Sequence, residues 1–441
     1  MAKKLAKSLL KGGDMAKQGS YWEPEIETAP IEKLRERQLE KLQELADRAY
    51  TKTKFHQRKF DKAGVKPADI KTLEDIQKLP LTDYLDDFVA TPLADKLAVP
   101  WEDILVFWNT SGTISGSPQL VPVTKNENER IISMVLRFLY MLEATKEDVI
   151  LLSVPTDVWI IGIERLGAKL IPGTGSAMLP HNQVKLIDKA GVTMMLTLPS
   201  FFLQLEELGK GLGIDLRKSK LQKVVFCGEP WAESLRSKME EEWQVKFYDA
   251  YGLAELPGRG GECQVRKGIH LFADYSIIEI VDPETGKVLS PGEEGEIIIT
   301  NLAGEAMPLI RYRTGDVAKI LEYEACPCGR THPKISRVKG RVDHITKVEG
   351  RKILPLDIEE IVATIPDLSG EYQLIVDKAG ELHRLKIKAE YVEPVRDLAG
   401  LHRKVADELE RGLMVSVDVE LMPKGELPKT MWKAQRIIRA F

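Results

Sequence analysis

The run Trp108-Asn109-Thr110-Ser111-Gly112-Thr113-Ile114-Ser115-Gly116-Ser117-Pro118 concentrates the residue types that hold anions. Glycine lets backbone amides turn inward, and the hydroxyls of Thr110, Ser111 and Thr113 add donors. Thr110 to Gly116 therefore has the makings of a pocket for phosphate oxygens. It is not a P-loop, because no Gly-Lys-Ser/Thr follows. The apolar residues Ile104 to Trp108 lead into it and read as a buried strand. Taken alone, the run also fits a polar turn between strands.

Three further segments follow in order: Asp249-Ala250-Tyr251-Gly252-Leu253-Ala254-Glu255, Tyr312-Arg313-Thr314-Gly315-Asp316 and Gly340-Arg341-Val342-Asp343, with Lys433 close to the C-terminus. This set, in this order, resembles the adenylate-forming superfamily of acyl-CoA synthetases, and within it the phenylacetate–CoA ligase family. The resemblance runs from about Tyr21 to the end of the chain. It implies an AMP-forming acid–thiol ligase. ATP, with magnesium, and an aryl or related carboxylic acid would give an acyl-adenylate and pyrophosphate, and coenzyme A would then take the acyl group.

Adenylation gathers negative charge on the phosphorus oxygens, which a metal, a positive side chain and oriented amides stabilise. By resemblance, Thr110 to Gly116 holds the β- and γ-phosphates, and Glu255 is similar to the family's magnesium-associated glutamate. Tyr251 looks like the residue beside adenine, within Asp249-Ala250-Tyr251-Gly252, with Gly228-Glu229-Pro230 on the other side. Asp316 is similar to the aspartate that takes both ribose hydroxyls, a task for a two-oxygen acceptor. Arg341 would sit near the ribose and α-phosphate, Asp343 would be the hinge, and Lys433 would reach the α-phosphate and acyl oxygen. Singly, Asp316 also fits a turn cap, Tyr251 a core residue and Glu255 a surface charge.

The chain departs from the family pattern in three places. Ser117 stands where family loops carry lysine, so one phosphate-pairing cation is missing. Trp432 replaces the usual glycine before Lys433, which leaves Lys429 as a rival. The stretch that helps to form the aryl-acid pocket is cut to Thr156–Gly162, where Trp159 fits either a pocket wall or the core.

A second constellation is Cys263-x6-His270 with Cys326-Pro327-Cys328. Three thiolates and one imidazole form a known structural zinc shell, although Cys-x-Cys is tighter than the common Cys-x2-Cys. By resemblance, some relatives of phenylacetate–CoA ligase carry this set. Free thiols beside a surface histidine are the plainer alternative, His332 is the other nitrogen candidate, and Cys227 reads as core.

Elements able to position these residues are legible upstream and downstream. Residues 31 to 60 read as helix, with Leu34, Leu39, Leu42, Leu45 and Ala46 on one face, and Thr72 caps another start. Short apolar runs (Val149–Val154, Thr193–Leu198, Lys223–Cys227, Val245–Asp249) alternate with amphipathic helices (Glu127–Leu142, Asn182–Ala190, Ser200–Leu208, Ala232–Glu242). That alternation predicts an α/β fold of helix-covered parallel sheets, with ligands beyond the strand C-termini. Ser276–Val281 and Gly295–Thr300 predict an antiparallel, barrel-like unit. After Asp343 the pattern changes to a small α+β tail. The expected division is a large unit, residues 1–340, and a small mobile lid, residues 341–441.

Composition narrows the class. The 441 residues allow two or three domains with ample core. A net charge of −4 gives no global field for nucleic acid or an anionic membrane. No run approaches the ~18 apolar residues of a membrane span. The basic, amphipathic start, Met1 to Lys11, has too short an apolar stretch for a signal peptide. Four cysteines, two of them one residue apart, are no secreted disulfide framework, so the expected location is cytoplasmic. Assembly is left open, a homodimer being one form. Two other functions remain open: an adenylyltransferase that uses no CoA and acts on a phenol-like or deazaflavin-type acceptor or another carrier, and a nucleotide-binding protein without catalysis.

If Lys433 meets the α-phosphate only during adenylation, Lys433→Ala lowers pyrophosphate release from acid and ATP by roughly 10²-fold. It spares thioester formation from synthetic acyl-adenylate. Lys429→Ala does little to either rate. Equal losses in both steps, or selectivity in Lys429→Ala instead, would refute the assignment.

Overall fold

The computed structural model describes residues 21–110, 112, 115–154, 158–173, 179–322, 324–378, 380–428 and 436–440. Helix α1 (Ile31–Lys52) buries Leu34, Leu42, Leu45, Ala46 and Ala49. The expected single helix divides here. Thr53 is extended, and its hydroxyl accepts from the His56 amide at 3.2 Å, so it ends α1 and caps α2 (Lys54–Ala63).

Strands β1 (Ile104–Asn109) and β2 (Leu120–Thr124) form a separate antiparallel hairpin. Here the expectation of a buried strand fails: β1 is only half covered, because a two-stranded ribbon has a single packed face. Its loop is the anion-cradle run. Thr124 then starts α3 (Lys125–Met141) with a reciprocal cap. Its hydroxyl accepts from the Glu127 amide at 3.1 Å, and Glu127 accepts from the Thr124 amide at 2.7 Å.

The alternation continues through β3 (Val149–Leu152), α4 (Val158–Leu166), β4 (Lys169–Pro172), α5 (Pro180–Ala190), β5 (Met194–Thr197), α6 (Pro199–Gly211), β6 (Lys223–Cys227), α7 (Glu233–Trp243) and β7 (Lys246–Tyr251). β4, β3, β5, β6 and β7 lie side by side and parallel. Crossover helices cover both faces, so β3, β5, β6 and β7 are almost wholly buried and read as continuous apolar runs. Past β7 the sheet turns antiparallel through β8 (Gly260–Glu262) and β9 (Ile269–Leu271). A second, antiparallel sheet comprises β10 (Ser276–Val281), β11 (Gly295–Asn301), β12 (Tyr312–Ala318) and, beyond β13 (Lys334–Ile335) on the edge of the large sheet, β14 (Gly340–Arg341).

The C-terminal region is small and mixed. The ribbon β15 (Thr346–Val348) and β16 (Arg351–Ile353) precedes α8 (Pro355–Val362), β17 (Leu368–Val376), β18 (Leu385–Tyr391), α9 (Leu398–Leu413), β19 (Val417–Pro423) and β20 (Ile437–Arg439). The four last strands form one sheet in the order β19, β18, β17, β20. Its core, from Val348 to Val417, is built from this region's own residues. No described helix is long and apolar enough to cross a membrane.

Candidate active site

The C-terminal ends of β6 and β7, the start of β1's loop, β12 and β14 converge on one cavity of about 560 Å³. Thr110, Gly112, Gly228, Glu229, Pro230, Asp249 through Glu255, Asp316, Arg341 and Asp343 all line it. Residues far apart in the chain are therefore brought together as the sequence requires. Ser111 and Thr113 of the loop, and Lys429, Trp432 and Lys433, lie outside the described residues. Gly116 is not among the lining residues; its amide closes the loop by donating to the Gly112 carbonyl at 2.8 Å.

Local chemistry fixes the loop's base. Thr110 N–H donates to the Gln119 carbonyl at 3.0 Å, and the Thr110 hydroxyl accepts from Gln119 N–H at 3.0 Å. Gly112 has φ +72°, and a Cβ there would stand 2.6 Å from the Ser117 carbonyl carbon. Only glycine allows the chain to cross itself so closely.

Asp316 is held by partners on both oxygens. The Tyr251 hydroxyl donates to its Oδ2 at 3.1 Å, and Arg341 donates to its Oδ1 at 3.3 Å. Arg341 also donates to Asp343 Oδ1 at 3.1 Å and to the Thr314 carbonyl at 3.2 Å. Burial pushes the Asp316 carboxyl up to about 6, against the pull of the Arg341 cation. Burial likewise raises Glu255, while donation from the Tyr312 hydroxyl at 2.9 Å opposes the rise.

On the opposite wall, Glu229 is spent on structure. It accepts from the Ser200 amide at 3.1 Å and the Ser200 hydroxyl at 2.9 Å, at the start of α6. Asp249 is raised by burial and steadied by Arg337 at 3.2 Å. Arg337 also donates to the Trp231 carbonyl at 2.5 Å and stacks on the Trp231 ring at 4.1 Å. Part of the remaining wall comes from the C-terminal region: Pro355, Leu356, Glu359, Glu371, Arg436 and Ile437. Arg436 and Ile437 stand three and four positions beyond Lys433 in the sequence.

Trp159 is settled as core. It lies in α4, 9% exposed and edge-on to Phe138 at 5.6 Å; the stretch is helix from Val158 onward, and Thr156 and Asp157 lie outside the described residues. Sequence reasoning gave no role to Tyr312, Arg337, Glu359 or Arg436. Tyr312 was within a quoted motif, whereas the others carry no local signal.

Apart from the cavity, Cys263, His270, Cys326 and Cys328 are all buried, with ligand atoms within 4.8 Å of one another. Cys263 Sγ lies 3.8 Å from Cys326 Sγ, and Cys328 Sγ 3.5 Å from His270 Nε2. Hydrogen bonding from Cys263 and His270 holds the Cys328 thiol low, while the contact with Cys328 pushes Cys263 up. His332 is excluded from the group. Its Nδ1 accepts from the Ala273 amide at 2.9 Å, and its Nε2 faces the Ile26 carbonyl at 3.2 Å. Cys227 is half-buried at the end of β6, against the central core.

A sequence model of the AMP-binding enzymes matches residues 27–303, and one of the AMP-binding enzyme C-terminal domain matches residues 350–440. The phenylacetate–coenzyme A ligase of Thermus thermophilus is 32% identical over 435 residues, covering 93% of this chain and 97% of the relative. That of Escherichia coli is 33% identical over 427 residues, covering 93% and 96%. This chain belongs to the phenylacetate–coenzyme A ligase family of AMP-binding enzymes. It is an adenylate-forming ligase. Its fold matches 2-hydroxyisobutyryl-CoA ligase in the postadenylation state with 2-HIB-AMP, with TM-score 0.88 at 23% identity over 96% of this chain and 93% of that one. Against the same protein in its thioesterification state the TM-score is 0.70, at 24% identity over 96% and 92%. The alternative without CoA is not favoured, because relatives that span nearly the whole chain are acid–CoA ligases.

Since Asp316 is raised rather than lowered, its carboxylate is lost as pH falls through about 6. If Asp316 takes the ribose hydroxyls, the AMP affinity declines below that pH, approaching tenfold per unit where only the ionised form binds. Asp316→Asn binds AMP about 10-fold or more weakly at neutral pH and loses this part of the dependence. Calorimetric titration of both proteins across the range decides; parallel profiles would remove Asp316 from the ribose.

Proposed function

We propose that this ligase activates an aryl or related carboxylic acid with ATP and passes the acyl group to coenzyme A. The observation that carries this is the single cavity that gathers the loop base at Thr110 and Gly112, the Asp249–Glu255 turn, Asp316 and Arg341. One carboxylate oxygen attacks the α-phosphorus and the bond to pyrophosphate breaks. The CoA thiol then attacks the acyl carbon, and AMP leaves. Phenylacetate is the first candidate acid, because the curated relatives are phenylacetate–CoA ligases.

Roles follow from position. Asp316 accepts the ribose hydroxyls, Tyr251 and Gly228–Pro230 flank the adenine, and Asp249 faces its edge. Arg341 reaches toward the α-phosphate. Glu255 would hold magnesium, which when bound neutralises phosphate charge. The cavity wall from the C-terminal region supports a division into a large unit, residues 1–340, and a mobile lid, residues 341–441. The lid turns at Asp343 and carries Lys433. Exchange of lid faces between the two half-reactions gates turnover.

The cysteine–histidine group fits structural zinc. Tetrahedral ligands at the usual bond lengths stand roughly 3.5–3.8 Å apart, close to the observed 3.5 and 3.8 Å contacts. When bound, zinc would tie β8 and β9 to the loop before β13, with no part in the reaction. Free, clustered thiols suit a reducing compartment, so we place the protein in the cytoplasm.

With phenylacetate, ATP, magnesium and CoA the protein forms phenylacetyl-CoA and AMP, and without CoA it releases only pyrophosphate. ATP binding with no pyrophosphate release from any acid would overturn the reading, as would acid-dependent release that never yields a thioester. Elemental analysis finds about one zinc per chain. Cys326→Ser loses the metal and melts at lower temperature; metal-free protein with unchanged melting would refute the cluster.

A further inference from the structure

Helix α7 begins without a cap of its own. Ala232 stands at the N-cap, and its methyl group offers nothing to the first-turn amides. The acceptors come instead from α8, in the C-terminal region. Ala232 N–H donates to Glu359 Oε1 at 3.1 Å. Glu233 N–H donates to Glu360 Oε1 at 2.5 Å, and Ser234 N–H to Glu360 Oε2 at 3.0 Å. The Ser234 hydroxyl adds a bond to that same oxygen at 2.7 Å. A carboxylate at this end of a helix is further stabilised by the helix dipole.

The capped turn adjoins the nucleotide wall. Arg337, which steadies Asp249, also donates to Glu233 at 2.8 Å and to the Trp231 carbonyl. Lys424–Glu207 at 3.4 Å and Lys347–Glu284 at 2.6 Å join half-exposed side chains and are screened, whereas Lys339–Asp357 at 3.1 Å is a more sheltered tie to α8. The Glu360 contacts are different in kind, because they satisfy backbone donors that nothing in α7 itself satisfies.

We propose that Glu360 is a positioning residue, the latch that holds the lid in the arrangement that adenylates. This rests on the acid–CoA ligase reading given above. In this arrangement α8 caps α7 while Arg436 and Ile437 border the cavity. When the lid turns for thioester formation, α7 loses its cap. The latch thus sets how readily the lid departs.

Two variants separate a latch from an ordinary helix cap. Glu360→Ala removes the acceptor. Glu360→Ala with Ala232→Ser gives α7 a local cap but no tie to α8. Pyrophosphate release from phenylacetate and ATP is measured apart from phenylacetyl-CoA formation from synthetic adenylate. Amide hydrogen exchange is followed at residues 232–234 and 355–362 without substrate. Glu360→Ala slows adenylation about tenfold, the scale of losing a helix cap, and does not slow thioester formation. Exchange rises in both segments. The double variant recovers melting temperature yet keeps the slow adenylation and the fast exchange at 355–362. Recovery of adenylation by the double variant, equal loss in both half-reactions, or unchanged exchange at 355–362 would overturn the latch. If the native protein makes no thioester, the functional reading falls, and the exchange experiment alone decides for or against the latch.

Discussion

Asp316 must be kept nearly out of water and yet remain able to accept, and much of the cavity is arranged around that demand. Its carboxyl is 14% exposed on strand β12, where desolvation alone disfavours charge. Tyr251, at the end of the parallel half of the large sheet, offers a hydroxyl. Arg341, on the neighbouring antiparallel strand β14, offers a cation. One carboxylate therefore joins two sheets and the start of the C-terminal region. If any of the three moved by a hydrogen-bond length, a buried charge would be left without support.

The same logic repeats at smaller scale. Asp249 and Glu262 are both buried acids on the paired strands β7 and β8, and each is matched by an arginine, Arg337 and Arg236. Glu255 has a phenol, Tyr312, for a partner. Residues that face the cavity are thus held from behind by groups that do not line it or that line it only in part. Such backing fixes rotamers in advance of any ligand, which lowers the ordering cost of binding.

The periodic part of the fold was legible in the sequence. Lys223–Cys227 is a strand with the bounds its apolar run implied, and the helices after β4, β5 and β6 lie where amphipathic spacing put them. The Ile104–Trp108 run misled because hydropathy does not report whether a strand has neighbours on both sides. The helix at 31–60 divided because Thr53 has a second use as a cap, which a search for apolar spacing overlooks. In the site, the motif residues came together as their order suggested. Arg337, Glu359 and Arg436 were invisible, since their partners lie up to 127 positions away and no local pattern marks a long-range contact. Trp159 was ambiguous by composition and was decided by packing alone.

One close approach bears on how this chain can change over time. Gly315 has φ +74°, and a Cβ there would stand 2.4 Å from the Arg341 guanidinium. Position 315 is flanked by ladder pairs that tie β12 to β11 and β14, and those do not depend on its side chain. A single codon change at 315 would therefore push the guanidinium off Asp316 while leaving most of the protein's framework in place. A duplicated gene copy has here a short route to a folded descendant in which the Asp316–Arg341 pair is broken.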